Sequence, residues 1–122
     1  MLSITKIFKF DAAHYLPFHK GLCKNLHGHG YRLEVEVTGE VKAAGGPTAG
    51  MIMDFGYLKE KVAPILEKLD HHSLNDIFAN PTAEIMAEWI ASRLKESLPP
   101  WVDLVRIRLW ETENCYAEWR KD

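Results

Sequence analysis

The residues best suited to chemistry lie in the stretch Cys23-Lys24-Asn25-Leu26-His27-Gly28-His29. Side chains of an extended backbone alternate between two faces, so His27 and His29 point the same way and can converge on one metal ion. Cys23 precedes them by enough chain to lie beside that ion without being a ligand. The stretch predicts a metal site next to a nucleophile or base, although two ordinary polar strand residues are the simpler alternative.

A third histidine comes from the preceding strand pattern. Even positions from Leu2 to His14 are mostly apolar, and odd positions from Tyr31 to Val41 continue the phase of the His-Gly-His pair. If these strands pair antiparallel, all three histidines lie at the same end of one face. Three imidazoles with a vacant fourth position are typical of catalytic zinc, whereas a structural zinc would recruit Cys23. Hydrogen-bonded core histidines, or a solvated strand edge, need no metal.

A second group is Asp70-His71, within the stretch Leu69 to Asn75. A carboxylate beside an imidazole can fix its tautomer and stabilise its cation, as general acid–base catalysis requires. Alternatively, the histidine merely lies at the end of a helix, where the helix dipole favours it. The sequence leaves both interpretations open.

Glu111 is the third feature. Its predicted strand has an apolar face made of Val105, Ile107 and Leu109. A carboxylate in phase with that face needs a partner. The partner is either the N–H groups of a ligand or Arg106 or Arg108, which have the opposite phase. Cys115 and His19 are interpreted as structural or incidental.

The elements that must position these residues follow from periodicity and turn signals. The two strands are followed by a loop (43–50), a helix, a second helix and two strands. Asp54 is the predicted N-cap of the first helix, and Pro64 either kinks that helix or ends it. The second helix opens at Asn80-Pro81-Thr82, with proline in its first turn. The order predicts an α+β fold, a four-stranded antiparallel sheet with two helices on one face. The open edges of that sheet must be covered, and pairing between subunits is one way to cover them.

Length and composition limit the possible functions. The 122 residues predict one domain, 1–122. A formal charge of −2 gives no electrostatic basis for binding nucleic acid or an anionic membrane. Two cysteines, with no signal peptide or membrane-spanning apolar run, predict a reducing, cytoplasmic location without a structural disulfide.

Taken together, these motifs resemble the 6-pyruvoyltetrahydropterin synthase superfamily, and within it the bacterial 6-carboxytetrahydropterin synthases of queuosine biosynthesis. The matching stretches cover nearly the whole chain: Phe10-Asp11-Ala12-Ala13-His14, Cys23 to His29, Met53-Asp54-Phe55, Leu69 to Asn75, Pro81-Thr82-Ala83-Glu84 and Trp110-Glu111-Thr112. Three residues between Cys23 and His27 are typical of the carboxy-forming branch, since the pyruvoyl-forming enzymes have a longer gap. The resemblance implies the tunnelling fold.

The resemblance also implies a role for each motif. It implies a Zn²⁺ ion bound by His14, His27 and His29. It implies a catalytic thiol at Cys23 and a proton-transfer pair formed by Asp70 and His71. The pterin ring is then bound by Glu111, with Thr82 and Glu84 as further pocket positions.

The implied reaction converts 7,8-dihydroneopterin triphosphate to 6-carboxy-5,6,7,8-tetrahydropterin, releasing acetaldehyde and triphosphate. Lys20 and Lys24 are candidates for contacting the triphosphate. The implied assembly is a homohexamer of two stacked trimers with active sites at subunit interfaces. Two alternatives stay open: a 6-pyruvoyltetrahydropterin synthase, and a non-catalytic zinc- or pterin-binding module in which Cys23 is a fourth metal ligand.

Overall fold

The computed structural model describes all residues of the chain, 1–122. The main elements are β1 (Ser3–His14), β2 (His27–Gly39), α1 (Phe55–Leu69), α2 (Ala83–Ser97), β3 (Val102–Thr112) and β4 (Cys115–Arg120). Two short 3-10 turns, Leu22–Lys24 and Leu74–Asp76, lie in the connections. None of the helices combines the length and apolar character that crossing a membrane requires.

The strands form one antiparallel sheet in the order β1-β2-β3-β4. Alternation along the strands places their apolar side chains on one face, against which the helices pack. α2 packs on β3 and β4, and α1 packs on β1. The 24 buried apolar residues form a single cluster between the two layers. The predicted α+β fold, with two helices on one face of a four-stranded antiparallel sheet, is confirmed.

The helix ends differ in how well they match the prediction. The Asp54 carboxylate accepts the N–H of Tyr57 at 3.2 Å, as expected of an N-cap. α1 continues through Pro64 rather than ending there. The predicted start of α2 was wrong by a short distance, because the N-cap is Thr82, whose hydroxyl accepts the N–H of Ile85. Pro81 therefore precedes the helix instead of occupying its first turn.

β3 contains an irregularity that the alternation did not predict. The register between β2 and β3 shifts between Glu36 and Val37, and Val105 is the extra residue. Val105 is consequently only half-buried, and Leu104 takes the buried position. Ile107 and Leu109 beyond the bulge are buried as predicted, and a second shift, between β3 and β4, leaves Glu111 as the extra residue. Glu111 nevertheless lies on the face of the histidines, with Oε1 3.4 Å from His29 Nε2.

The opposite face of the sheet carries a network of ion pairs. Arg106 Nε donates to Glu36 Oε1 at 2.7 Å, and Arg108 Nε donates to Glu118 Oε1 at 2.5 Å. Arg106 also lies 3.6 Å from Glu34. Both arginines are thus paired on their own face.

One edge of β1 is covered by the chain that follows α1. The N–H of His71 donates to the carbonyl of Asp11 at 2.6 Å, and the N–H of Ala13 donates to the carbonyl of His72 at 3.2 Å. Ala13 also forms a parallel bridge with Ser73. This segment covers the edge near the end of β1 where His14 lies.

Candidate metal centre and active site

Strand pairing brings three histidines to one point on the helix-covered face. His14 is the last residue of β1 and pairs directly with His27, the first residue of β2. His29 lies opposite Ala12, on the same face because strand side chains repeat with period two. One nitrogen from each ring lies within 4.8 Å of the other two. The structure therefore brings these predicted ligands together.

The hydrogen bonds of two rings fix their tautomers. His14 Nδ1 lies 2.8 Å from the carbonyl of Pro81, and His27 Nδ1 lies 2.7 Å from the carbonyl of Asn25. A carbonyl oxygen only accepts, so both Nδ1 atoms carry the proton and both Nε2 atoms present lone pairs. These Nε2 atoms face each other at 3.1 Å. Two lone pairs at that distance repel unless a cation lies between them.

His29 adds a third nitrogen to the same point. Its Nε2 atom is buried and has no hydrogen-bond partner. Glu111 Oε1 is 3.4 Å away, outside hydrogen-bonding geometry. An unpaired buried nitrogen is costly in a protein that binds nothing, but it is appropriate for a metal ligand. The donor set of three imidazoles fits a zinc ion.

Burial keeps the site in its metal-binding form. Desolvation is the main cause that lowers the pKa of His14 and of His29 below the usual value of 6.5. Neutral imidazole is the form that binds metals, so these rings are ready to bind at neutral pH. The three histidines could therefore hold a metal ion.

Two contacts that support His14 were not predicted from the sequence. The hydroxyl of buried Tyr31 lies 3.3 Å from His14 Nδ1, and its ring stacks on Phe10 with centroids 4.9 Å apart. Burial, with the nearby charge of Glu111 as a second cause, raises the pKa of Tyr31. The Pro81 carbonyl is the other support. The sequence marked Pro81 as a residue at the start of the second helix. Periodicity could not show that the carbonyl of Pro81 meets His14, which is far away in sequence.

Cys23 lies in the 3-10 turn Leu22–Lys24 and is half-buried. Its carbonyl accepts the N–H of Leu16 at 2.7 Å, which closes the loop between β1 and β2. Its sulfur is not part of the group of mutually close ligand atoms. The candidate metal site thus offers three protein donors, His14, His27 and His29, without the cysteine. Lys20 and Lys24 are exposed on the same loop.

Asp70 and His71 form a separate cluster at the edge of β1. Asp70 is the C-cap of α1, and its Oδ1 lies 2.8 Å from His71 Nδ1. The N–H of Asp11 is the first cause that lowers the pKa of Asp70, and the hydrogen bond from His71 adds to it. His71 has a positive φ of 58°, and its side chain is 78% exposed.

The Asp70–His71 pair and the three histidines are not assembled into one closed site within the chain. A broad cavity of about 640 Å³ lies beside the pair, and its lining includes His71, Gly28, His29 and Gly30. Neither Cys23 nor His14 belongs to that lining. The structure thus places the pair on an open surface.

Glu111 lies at the boundary between the three histidines and a smaller cavity of about 250 Å³. Glu84 and Cys115 line the same cavity. Neither Arg106 nor Arg108 contacts Glu111, because their partners lie on the opposite face of the sheet. The Glu111 carboxylate therefore remains available to N–H groups of a ligand. Thr82 adjoins this cavity through its neighbour Ala83, and its oxygen serves the helix cap.

Comparisons with known proteins agree with this fold. A sequence model of the family described as 6-pyruvoyl tetrahydropterin synthase matches residues 3–122. A 6-carboxy-5,6,7,8-tetrahydropterin synthase of Synechocystis is 41% identical over 110 residues, covering 88% of this chain and 85% of the relative. A dihydroneopterin monophosphate aldolase of Pyrococcus furiosus is 44% identical over 109 residues, covering 89% of each. The structure of Caenorhabditis elegans 6-pyruvoyl tetrahydropterin synthase superposes with a TM-score of 0.83 at 26% identity, covering 99% of this chain and 96% of that one.

The fold and the three-histidine site define an α+β protein with a candidate metal centre between its layers. The chain belongs to the 6-pyruvoyl tetrahydropterin synthase family. The predicted family is thus confirmed, as is the prediction that the chain is an enzyme, a lyase of this family acting in pterin chemistry.

Proposed function

We propose that this chain, acting as one pterin synthase domain over 1–122, is a zinc-dependent 6-carboxy-5,6,7,8-tetrahydropterin synthase. In this reaction 7,8-dihydroneopterin triphosphate and water give the carboxylated pterin, acetaldehyde and triphosphate. The observation that carries metal-dependent chemistry is the pair of Nε2 lone pairs, from His14 and His27, facing each other at 3.1 Å. The carboxylated product is supported by the Synechocystis relative, and a cytoplasmic role in queuosine biosynthesis would follow.

In this proposal the metal is held by His14, His27 and His29. Zn²⁺ bound there would act as a Lewis acid on the side-chain hydroxyls of the substrate. The ligand rings need little rearrangement to hold it, since the carbonyls of Pro81 and Asn25 fix two of them. These residues are therefore assigned to metal binding rather than to proton transfer.

Cys23 and His71 are assigned to proton transfer. As a thiolate, Cys23 would act as a general base and remove a proton bound to carbon. His71 would move the second proton, with Asp70 holding its Nδ1 at 2.8 Å and leaving Nε2 free for the substrate. The charge of Asp70 would also stabilise the imidazolium that forms.

Glu111 is assigned to the pterin ring. The N–H edge of a pterin resembles a guanidine, and a carboxylate can accept two parallel hydrogen bonds from it. Glu84 lines the cavity beside Glu111, and the Thr82 hydroxyl can still donate its own proton. These positions would set the orientation of the ring relative to the three histidines.

The assembly in this proposal is a homohexamer of two stacked trimers. The His71 side chain is 78% exposed, and the cavity beside it is open and does not include Cys23. A second copy of the chain could close that surface by presenting its own Cys23 and histidines. Such sharing would also cover open strand edges, which are otherwise prone to unwanted pairing.

Two other reactions compete with this one. The runner-up is a 6-pyruvoyltetrahydropterin synthase, which eliminates triphosphate without cleaving the side chain. The Pyrococcus furiosus relative favours a third candidate, a dihydroneopterin monophosphate aldolase, since its identity of 44% is similar to that of the carboxy-forming relative. A non-catalytic zinc- or pterin-binding module remains the alternative outside enzymology.

One assay separates these functions. The zinc-loaded protein is incubated in parallel with dihydroneopterin triphosphate and with dihydroneopterin monophosphate, and products are identified by mass. Acetaldehyde with a carboxylated pterin supports the proposal, and a pyruvoyl product supports the runner-up. Side-chain cleavage of the monophosphate alone indicates the aldolase. If both substrates remain unchanged although zinc is bound, the protein is the non-catalytic binding module.

A further inference from the structure

The side chain of Asn75 bridges two segments that hold proposed catalytic residues. Its Oδ1 accepts the N–H of Tyr15 at 2.9 Å, and its Nδ2 donates to the carbonyl of Tyr15, also at 2.9 Å. The backbone of Tyr15 determines which amide atom is oxygen, because an N–H only donates and a carbonyl only accepts. One side chain therefore satisfies both backbone groups of one residue, as a neighbouring strand would.

Tyr15 is the point at which β1 passes into the loop that carries Cys23. It directly follows His14, a proposed metal ligand. The next residue, Leu16, donates its N–H to the carbonyl of Cys23 at 2.7 Å. Anchoring Tyr15 therefore anchors the start of this loop, and through Leu16 it restrains the turn that bears the thiol.

Asn75 itself belongs to the segment that follows Asp70 and His71. That segment follows the edge of β1 through the contacts at Asp11 and Ala13, and then enters the 3-10 turn Leu74–Asp76. In a 3-10 turn the backbone bonds to itself, so it no longer pairs with a strand. The Asn75 amide takes over at this point and extends the pairing from Ala13 to Tyr15.

We propose that Asn75 is a positioning residue, which holds the Cys23 loop in register with the Asp70–His71 segment. The inference rests on the proposed function for its catalytic consequence, but the contacts with Tyr15 do not depend on that function. Asn75 touches none of the reacting groups. It acts through Tyr15 on one side and through the backbone of its own segment on the other.

The geometry predicts which substitutions matter. Asn75→Asp keeps the size of the side chain but places a carboxylate oxygen against the Tyr15 carbonyl, so two acceptors meet where a hydrogen bond was. Asn75→Ala removes both bonds, and water can partly replace them because Tyr15 is exposed. Asp76→Asn is the matched control, since Asp76 is an exposed neighbour in the same turn without a side-chain bond to the loop.

The test measures catalysis and thiol reactivity in zinc-loaded protein. Every protein compared, the parent included, carries Cys115→Ser, so that iodoacetamide alkylation reports on Cys23 alone and any effect of Cys115→Ser is common to all. For Asn75→Asp we expect kcat to fall about 10- to 100-fold with KM nearly unchanged, as for a displaced catalytic group. The alkylation rate of Cys23 should change by about threefold or more, and Asp76→Asn should change neither quantity. Asn75→Ala should show the same changes at smaller size.

The proposal is overturned if Asn75→Asp folds and both its kcat and its Cys23 alkylation rate stay within about twofold of the parent. A lower melting temperature would not rescue the proposal, because the amide would then have only a structural role. If Asn75→Asp does not fold, Asn75→Ala is judged by the same limits. If the parent shows no synthase turnover, the proposed function fails, and the alkylation rates alone decide the role of Asn75.

Discussion

The two histidine clusters of this protein differ in how completely one chain builds them. His14 is fully buried, and hydrogen bonds from Nδ1 fix it and His27 before any ligand arrives. His71 forms its one side-chain contact with Asp70 and is otherwise open to solvent. The first cluster lies between the sheet and the helices, while the second lies on the edge of a strand.

This difference suggests that metal binding needs only one chain, whereas completing the proposed active site needs a further surface. A preorganised cluster can bind its ion in an isolated chain, because nothing essential is missing from it. In the proposed function, the exposed pair would transfer a proton where another surface excludes water and presents the substrate. We therefore expect zinc binding and turnover to respond differently to mutation.

Removing a metal ligand should have the largest effect. His29→Ala leaves two imidazoles, and since loss of a supporting contact alone typically costs 10- to 100-fold in metal affinity, loss of a ligand should exceed about 100-fold. Turnover should be lost as well. Zinc affinity is measured by competition with a chelator, with His19→Ala as the control histidine away from the cluster. Parental zinc affinity in His29→Ala would contradict the assigned ligand set.

Removing the thiol should abolish turnover while sparing the metal. Cys23→Ala eliminates the proposed base, whose contribution is about 10²- to 10⁴-fold, without altering the three imidazoles. The assay of product by mass is combined with metal analysis of the same sample, and Cys115→Ser is the matched cysteine control for zinc content. Loss of zinc from Cys23→Ala would make the cysteine a ligand and favour the binding module.

Sharing of sites between copies is tested by mixing inactive variants. His71→Ala should retain zinc and lose turnover by about 10²- to 10⁴-fold. Reassembling it with Cys23→Ala should restore roughly one quarter of parental activity, because random mixing pairs an intact Cys23 with an intact His71 in that fraction of interfaces. Each variant reassembled alone is the control. Activity that stays at the level of the single variants would mean that each chain completes its own site.

The smallest expected effect is on the stability of the fold, to which the Asp70–His71 pair contributes. The pKa of Asp70 is lowered in the folded state, chiefly by the N–H of Asp11. Such a carboxylate stabilises the fold above its usual pKa of 3.8, and this contribution disappears as the pH falls through the folded value. Asp70→Asn should therefore melt slightly below the parent at neutral pH, with a difference that shrinks in acid. A difference independent of pH, measured with Asp76→Asn as control, would assign it to packing.

The sequence predicted the parts of the site that depend on strand periodicity. Alternation put His14, His27 and His29 in one phase, and antiparallel pairing made His14 and His27 direct partners. Alternation failed at Val105, since a bulge adds one residue and leaves no mark in a pattern of apolar positions. Glu111 lies at a second such irregularity, between β3 and β4, yet its carboxylate still lies on the face of the histidines, 3.4 Å from His29 Nε2.

Contacts between a side chain and a distant backbone could not be predicted in this way. The Pro81 carbonyl and the Asn75 amide each meet a residue some sixty or more positions away in sequence. Their partners are backbone groups, which every residue has, so no residue type indicates the match. The family resemblance implied a catalytic role for Asp70 and His71, but it did not show that Cys23 is absent from the lining of the cavity beside His71 within one chain.

The bond from His14 Nδ1 to the Pro81 carbonyl links the sheet to the residue just before the cap of α2. A cation on the far nitrogen withdraws electrons from the ring and makes its N–H a stronger donor. Filling the site should therefore slow hydrogen–deuterium exchange of the amides of Ile85 and Met86, in a helix that supplies no ligand. Amide exchange in the first turn of α2 would then show whether the three-histidine site holds a metal ion, and the coupling would run through the His14 ring alone.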